Sequence, residues 1–313
     1  MSDQEPLASY EYSTGSAQDA IEFLKRTRSE LRMLRFVRVW PDQFRLYDIN
    51  GDCFEIRGLG FEQAEILPFS TGVIGQALPM TRMAPALSVL CDDDTDAGWL
   101  AAARAIMTTD TVPKGTSRRV ELGGGRYCDL TGITKGSGMI CPNMATMLAF
   151  IATDAAIDAD TLDTALRTAM THSFNAISVD GDTSTNDACI ACATGAGASL
   201  SPSAPGWVAF VDALTDLARE LAQAIVRDGE GATRFITLDV SGARDEAEAR
   251  AVAFTVAHSP LVKTACFAGD PNWGRILAAV GRAPVADFAI DHVAIALDSV
   301  AIVADGEPRE DYA

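Results

Sequence analysis

Thr146 stands where irregular backbone meets a continuous apolar run, and a hydroxyl at such a junction can do chemistry. Residues 135–150 read KGSGMICPNMATMLAF. Gly136, Gly138 and Pro142 hold the chain off regular structure. Behind Thr146, the residues Met147, Leu148, Ala149 and Phe150 open a buried element. A threonine becomes an acyl-transfer nucleophile when an amine takes its proton, and its own α-amine can serve once the preceding bond is cut. The plain alternative is a buried threonine that begins a core strand or helix.

Other stretches carry groups suited to the same chemistry. Residues 68–75 read PFSTGVIG. Acyl transfer builds charge on the attacked carbonyl oxygen, and each preorganised donor there is worth about 3–4 kcal/mol. The pair Thr71 and Gly72 offers a hydroxyl and a backbone N–H; alone, it reads equally as a strand-to-helix turn. Three threonines and Pro113 in residues 108–114 end a helix and carry hydroxyls into a loop. Lys135, beside the glycine turn, suits the carboxylate of an amino-acid substrate, with a surface lysine as the alternative. Glu230 follows a helix C-terminus, the unfavourable end of the dipole for a carboxylate. An exposed loop glutamate is its plain reading.

Four tempting sites dissolve on inspection. Residues 179–187, VDGDTSTND, have acidic spacing, but counting Asp180 as position 1 puts Thr185 where a calcium loop needs glycine and Ala191 where it needs glutamate. Cys189 and Cys192 have redox spacing inside an apolar run without a second pair. The glycines at 123–125 precede no GK[ST] and no helix start, so they cradle no phosphate. His172, His258 and His292 are too far apart for a local metal site or triad.

The elements that must position these groups belong to a large core, since 48% of 313 residues are apolar. A net charge of −18 repels nucleic-acid phosphates and anionic membranes. No apolar run approaches the roughly 20 residues that span a bilayer. The first residues lack a basic and an apolar segment, so no secretion is expected. The seven cysteines read as reduced thiols of a cytoplasmic protein. Ser16 to Asp19 read as a capping box before a basic helix that includes Arg35 and Arg38, and Asn50-Gly51 as a hairpin turn within residues 44–56.

Asp96 is expected to cap a helix through Trp99 and Ile106, and residues 120–130 to form a glycine-turned hairpin. Helices are expected at 159–171, 207–226 and 246–257, the second ending in a left-handed Gly229. Ile236, Leu238 and Val240 alternate as a strand; Asp270-Pro271 reads as a helix start; Val293, Ile295 and Leu297 read as the last strand.

Residues 135–150 resemble the self-cleaving segment of the ornithine acetyltransferase (ArgJ-like) family, related in fold to the DmpA-type aminopeptidases. The resemblance begins near Gly58 and is supported by residues 68–75, DGDTSTND at 180–187, DGEGAT at 228–233 and FAGDPNWGRILAAV at 267–280. It implies an α/β protein, sheets layered with helices in a DmpA/ArgJ-like sandwich.

The same resemblance implies cleavage between Ala145 and Thr146, with Thr146 the nucleophile, Thr71 and Gly72 the oxyanion hole, and Thr109 (or Thr108 in the neighbouring register), Lys135, Thr146 and Glu230 contacting substrate. It divides the chain into a divergent segment 1–57, the rest of an α-chain 58–145 and a β-chain 146–313. The implied reaction moves acetyl from N2-acetylornithine to glutamate. It needs no cofactor and no metal, with acetyl-CoA as a further co-substrate, in an assembly of two α and two β chains. The segments expected at both ends of the family pattern are not found, which leaves a non-catalytic remnant as one alternative and a DmpA-like aminopeptidase as another.

Overall fold

The computed structural model describes residues 67, 69, 71–72, 98–141, 147–183 and 187–309, with the backbone of strand β1, Arg35–Arg38. The N-terminal capping box and hairpin, the Asp96 cap, Ala145 and Thr146 lie outside the described residues. The chain divides into two compact units, one ending at Glu230 and the other beginning at Gly231.

The first unit is built around two apolar strands. β4 (Leu148–Thr153) and β5 (Ala188–Ala193) are apolar over nearly their whole length, as strands covered on both faces must be, and they pair in parallel. β3 (Arg126–Lys135) lies antiparallel to β4, with Lys135 opposite Leu148, and β2 (Lys114–Gly123) borders β3. Three consecutive left-handed glycines, Gly123, Gly124 and Gly125, turn the β2–β3 hairpin. β1 pairs with the free edge of β5, giving the order β1-β5-β4-β3-β2. Arg35 to Arg38 are therefore strand, where the basic periodicity predicts helix. An edge ladder satisfies their backbone in a way that helical spacing could not reveal.

Alternation along β4 sorts the core into two layers. Leu148 and Phe150 join Ile133, Ile190 and α1 (Gly98–Ala105) on one face, where Phe69 meets Phe150 edge-on with ring centroids 5.2 Å apart. Ala149 and Ile151 join α2 (Ala159–Thr171) and α3 (Trp207–Arg227) on the other. Leu162, Leu166 and Met170 of α2 are buried as their spacing predicts, and Asp158 caps the helix by accepting from the Thr161 N–H. α3 sits so close to β3 that a Cβ at Gly132 would lie 2.9 Å from both Leu217 and Leu221.

Gly229 is not the left-handed cap. Asp228 ends α3 at φ −96°, and the left-handed glycine is Gly231, φ 69°. Gly229 is needed for room, because a Cβ there would lie 3.1 Å from Val179 Cγ1 and from the Val226 carbonyl.

The second unit holds α4 (Glu246–Ala257), α5 (Pro260–Ala268) and α6 (Trp273–Val280) around Val256, Val262 and Ala279. It also holds a sheet of β6 (Ile295–Leu297), β7 (Val300–Ala304) and β8 (Glu307–Pro308). Its details correct three expectations. Asn272, not Asp270, caps α6, since its side chain accepts from the Arg275 N–H and puts Pro271 ahead of the cap. Proline at the first helical turn occurs instead at Pro260, behind the Ser259 cap. Ile236 and Leu238 are exposed and join no ladder among the described residues, so alternation there builds no strand. Val293 precedes β6, and two more strands follow it.

Candidate functional site

Lys135 ends β3 where the sheet is covered on both faces, which leaves the residue only 3% exposed. Its Nζ donates to Thr71 Oγ1 at 3.1 Å and to Thr108 Oγ1 at 2.6 Å. The next hydroxyl, on Thr109, shares a 2.6 Å hydrogen bond with Ser137 Oγ. The Glu230 N–H donates to the Ser137 carbonyl at 2.8 Å. Its carboxylate lies over Gly138, where a Cβ would come within 2.6 Å of Oε1. Gly138 is thus small because Glu230 occupies the space. Thr71, Thr109, Lys135 and Glu230, with Gly72 bonded to Thr71, fall on one continuous run of contacts. Four segments distant in sequence meet there: the 71–72 turn, the loop after α1, the turn after β3 and the end of α3.

Beneath these groups lies an ion network that spacing did not disclose. Lys114, also 3% exposed, donates through Nζ to Asp110 Oδ1 and to Asp228 Oδ2, each at 2.6 Å. Asp110 also accepts from the Gly136 N–H at 2.7 Å and from the Thr108 N–H at 3.1 Å. Asp228 accepts from the Thr111 N–H at 2.9 Å and from its hydroxyl. The network ties the threonine loop, the glycine turn and the end of α3 to one cation.

Burial would raise the Asp110 carboxyl, but the hydrogen bonds from Lys114 and Gly136 and the charges of Lys114 and Lys135 outweigh it and hold the group below its ordinary value. Asp228 is held low in the same way, by Lys114 and Thr111 against burial. Burial drives the Lys135 ammonium below its usual range, and nearby Lys114 adds to that while Asp110, Asp187 and Glu230 oppose it.

Residues 178–183 and 187–188 hold the described residues on either side of 142–146. Upstream, Asp180 accepts from the Met139 N–H at 2.5 Å and the Ile140 N–H at 3.0 Å. The Ser178 hydroxyl and the Val179 N–H donate to the Ile140 carbonyl at 3.1 and 2.7 Å, and Thr183 Oγ1 donates to the Cys141 carbonyl at 3.3 Å. Downstream, Asp187 Oδ1 accepts from the Met147 N–H, and the Ala188 N–H donates to the Met147 carbonyl. Met139 takes a left-handed φ of 57°, a conformation the Asp180 bonds help to hold.

Burial pushes the Cys189 and Cys192 thiols to about 12, so neither is poised for redox chemistry or metal binding. Among the described residues no group of His, Cys, Asp and Glu is arranged to hold a metal ion, and no single helix is long and apolar enough to cross a membrane.

A layered α/β unit with a buried lysine among threonine hydroxyls at the sheet's end is the class of protein at hand. The chain belongs to the ArgJ family, whose family model matches residues 54–313. It is 53% identical over 270 residues to the arginine biosynthesis bifunctional protein ArgJ of Methylococcus capsulatus, covering 85% of this chain and 66% of that protein. It is 52% identical over 256 residues to the protein of the same name from Psychrobacter arcticus, covering 81% and 63%. A crystal structure of that bifunctional protein from Bacillus halodurans is similar at 40% identity and a TM-score of 0.48, over 50% of this chain and 74% of the other. The chain spans 63–66% of the length of these curated relatives.

Proposed function

We propose that this chain is a self-cleaving acetyltransferase of arginine biosynthesis, working in the cytoplasm through a threonine nucleophile. Thr146 Oγ1 attacks the Ala145 carbonyl carbon; the Ala145–Thr146 C–N bond breaks, and the hydroxyl proton ends on the nitrogen. Water then cleaves the ester, leaving the Ala145 carboxylate and a free Thr146 hydroxyl and α-amine. The two chains, 1–145 and 146–313, stay together, two of each in the assembly. The freed amine, with an ordinary pKa of about 7.7–8.0, serves as the general base.

Thr146 then takes acetyl from N2-acetylornithine and passes it to glutamate, with acetyl-CoA as a second donor to the same hydroxyl. Thr71 and Gly72 hold the oxyanion. A hydroxyl that accepts from an ammonium is a stronger donor, which suits Thr71 beneath Lys135. Thr109 and Lys135 face the substrate carboxylate, and Glu230 its amino group.

The observation that carries this reading is the unbroken run of contacts from Thr71 through Lys135, Thr108, Thr109 and Ser137 to Glu230. Family membership supports it too. Intact-mass measurement over time tests it. Wild type is expected to give two chains, and Thr146→Ala one uncut chain with no glutamate-dependent loss of acetylornithine. A Thr146→Ala protein that still splits, or a wild type that hydrolyses peptides but transfers nothing to glutamate, overturns the reading.

A further inference from the structure

Asp187 sits at an unusual place for a carboxyl group. Its Oδ1 accepts from the amide of Met147, which is the amide formed on the carbonyl of Thr146. Its Oδ2 is buried and has no hydrogen-bond partner among the described residues. The amide of Met147 is two bonds from the Thr146 Cα, so whatever fixes that amide fixes the peptide from which the Thr146 side chain projects. The other end of the same loop carries Asp180, which fixes the Met139 and Ile140 amides. Asp180 thus holds amides shortly before residue 142, and Asp187 holds the amide just after residue 146.

We propose that Asp187 is the positioning residue for the Ala145–Thr146 cut, orienting the Thr146–Met147 peptide so that the hydroxyl addresses the carbonyl before it. This rests on the self-cleavage reading above. The carboxyl does no bond-making in the step; its role is to hold one peptide plane while oxygen replaces nitrogen on the Ala145 carbon.

A buried carboxyl oxygen without a hydrogen-bond partner among the described residues is costly to keep for stability alone. Burial pushes this carboxyl up to about 8, against the Met147 hydrogen bond and the Lys135 charge. A neutral carboxyl still accepts an N–H, so the positioning contact survives in either protonation state.

The experiment compares wild type, Asp187→Asn and Asp187→Ala in the full chain, reading scission by intact mass and the hydrogen–deuterium exchange of the Met147 amide. Asp187→Ala is expected to slow scission on the order of 100-fold, the effect of misplacing a reacting group by about an ångström. Asp187→Asn keeps an amide oxygen in the same place and is expected to cut within about tenfold of wild type, since one neutral acceptor replaces another. Exchange at Met147 should speed up in Asp187→Ala and stay slow in Asp187→Asn.

Scission of Asp187→Ala at the wild-type rate overturns the proposal, as does an Asp187→Asn protein as slow as Asp187→Ala. If wild type itself does not cut, the self-cleavage reading fails on its own. Met147 exchange then still decides whether Asp187 fixes that amide, and equal exchange in all three proteins overturns it.

Discussion

Asp110 and Asp187 are both carboxyls withdrawn from water, and the charge of each acts on Lys135, yet their pKa values are driven in opposite directions. Asp110 accepts from a lysine ammonium and two backbone amides. Asp187 accepts from one amide, and its second oxygen has no hydrogen-bond partner among the described residues. Burial penalises both alike, so the partner inventory decides the charge state. A carboxylate with three donors ties the threonine loop to the glycine turn; a carboxyl with one donor among the described residues lies beside the segment proposed to be cut. The first arrangement is what a rigid scaffold needs. The second is tolerated only where function asks for it.

The largest effect should come from removing the cation of the compensated region. Lys114→Met removes the cation bonded to both Asp110 and Asp228, leaving Asp110 the longer 4.0 Å pair with Lys135, and breaking buried pairs in this way costs about 3–5 kcal/mol. Urea unfolding of the variant should show that loss, and the loops bearing Thr108, Thr109 and Glu230 should lose their common anchor. A loss below about 1 kcal/mol, the value of an exposed ion pair, would mean that Lys114 is not the hub.

A smaller effect, on binding rather than stability, is expected at Gly138. Adding a methyl group there puts carbon 2.6 Å from Glu230 Oε1, and the flexible end of that side chain must move. Gly138→Ala should raise KM for the proposed amino-acid substrate about tenfold, the value of one misplaced charge-assisted contact, with little change in unfolding. If unfolding changes and KM does not, Gly138 serves the fold instead.

The sequence shows these regions unequally. Thr71, Thr109, Lys135 and Glu230 stand in motifs that a family resemblance picks out, and they do converge. Leu162, Leu166 and Met170, at helical spacing, place α2 because periodicity reports the buried face directly. Asp110, Lys114 and Asp228 give no such signal. Lys114 and Asp228 are 114 positions apart, and a loop aspartate before a proline looks like a solvated one. Only folding brings Lys114 to them.

Asp187 was legible as a member of DGDTSTND, but the burial of its second oxygen depends on packing that the motif does not show. Ile236 and Leu238 mislead in the other direction, because alternation predicts a strand only where a partner edge exists to receive it.

A further effect separates the two carboxyls by pH. Asp110 and Asp228 have folded-state values below the ordinary 3.8, so their contribution to stability is complete above that pH and is lost as pH falls below it. Asp187 runs the other way. With its value raised from 3.8 to about 8, the folded protein keeps a proton that the unfolded chain has released, so stability declines as pH climbs through that interval. Asp187→Asn removes only the second slope.

Measured in a Thr146→Ala background, where every protein remains one chain, the melting midpoint of Asp187→Asn should match its parent near pH 4. It should exceed the parent by several degrees near pH 9, with the gap opening across the interval between them. A gap that does not change with pH would mean that Asp187 is as well compensated as Asp110, and the contrast between the two regions would disappear.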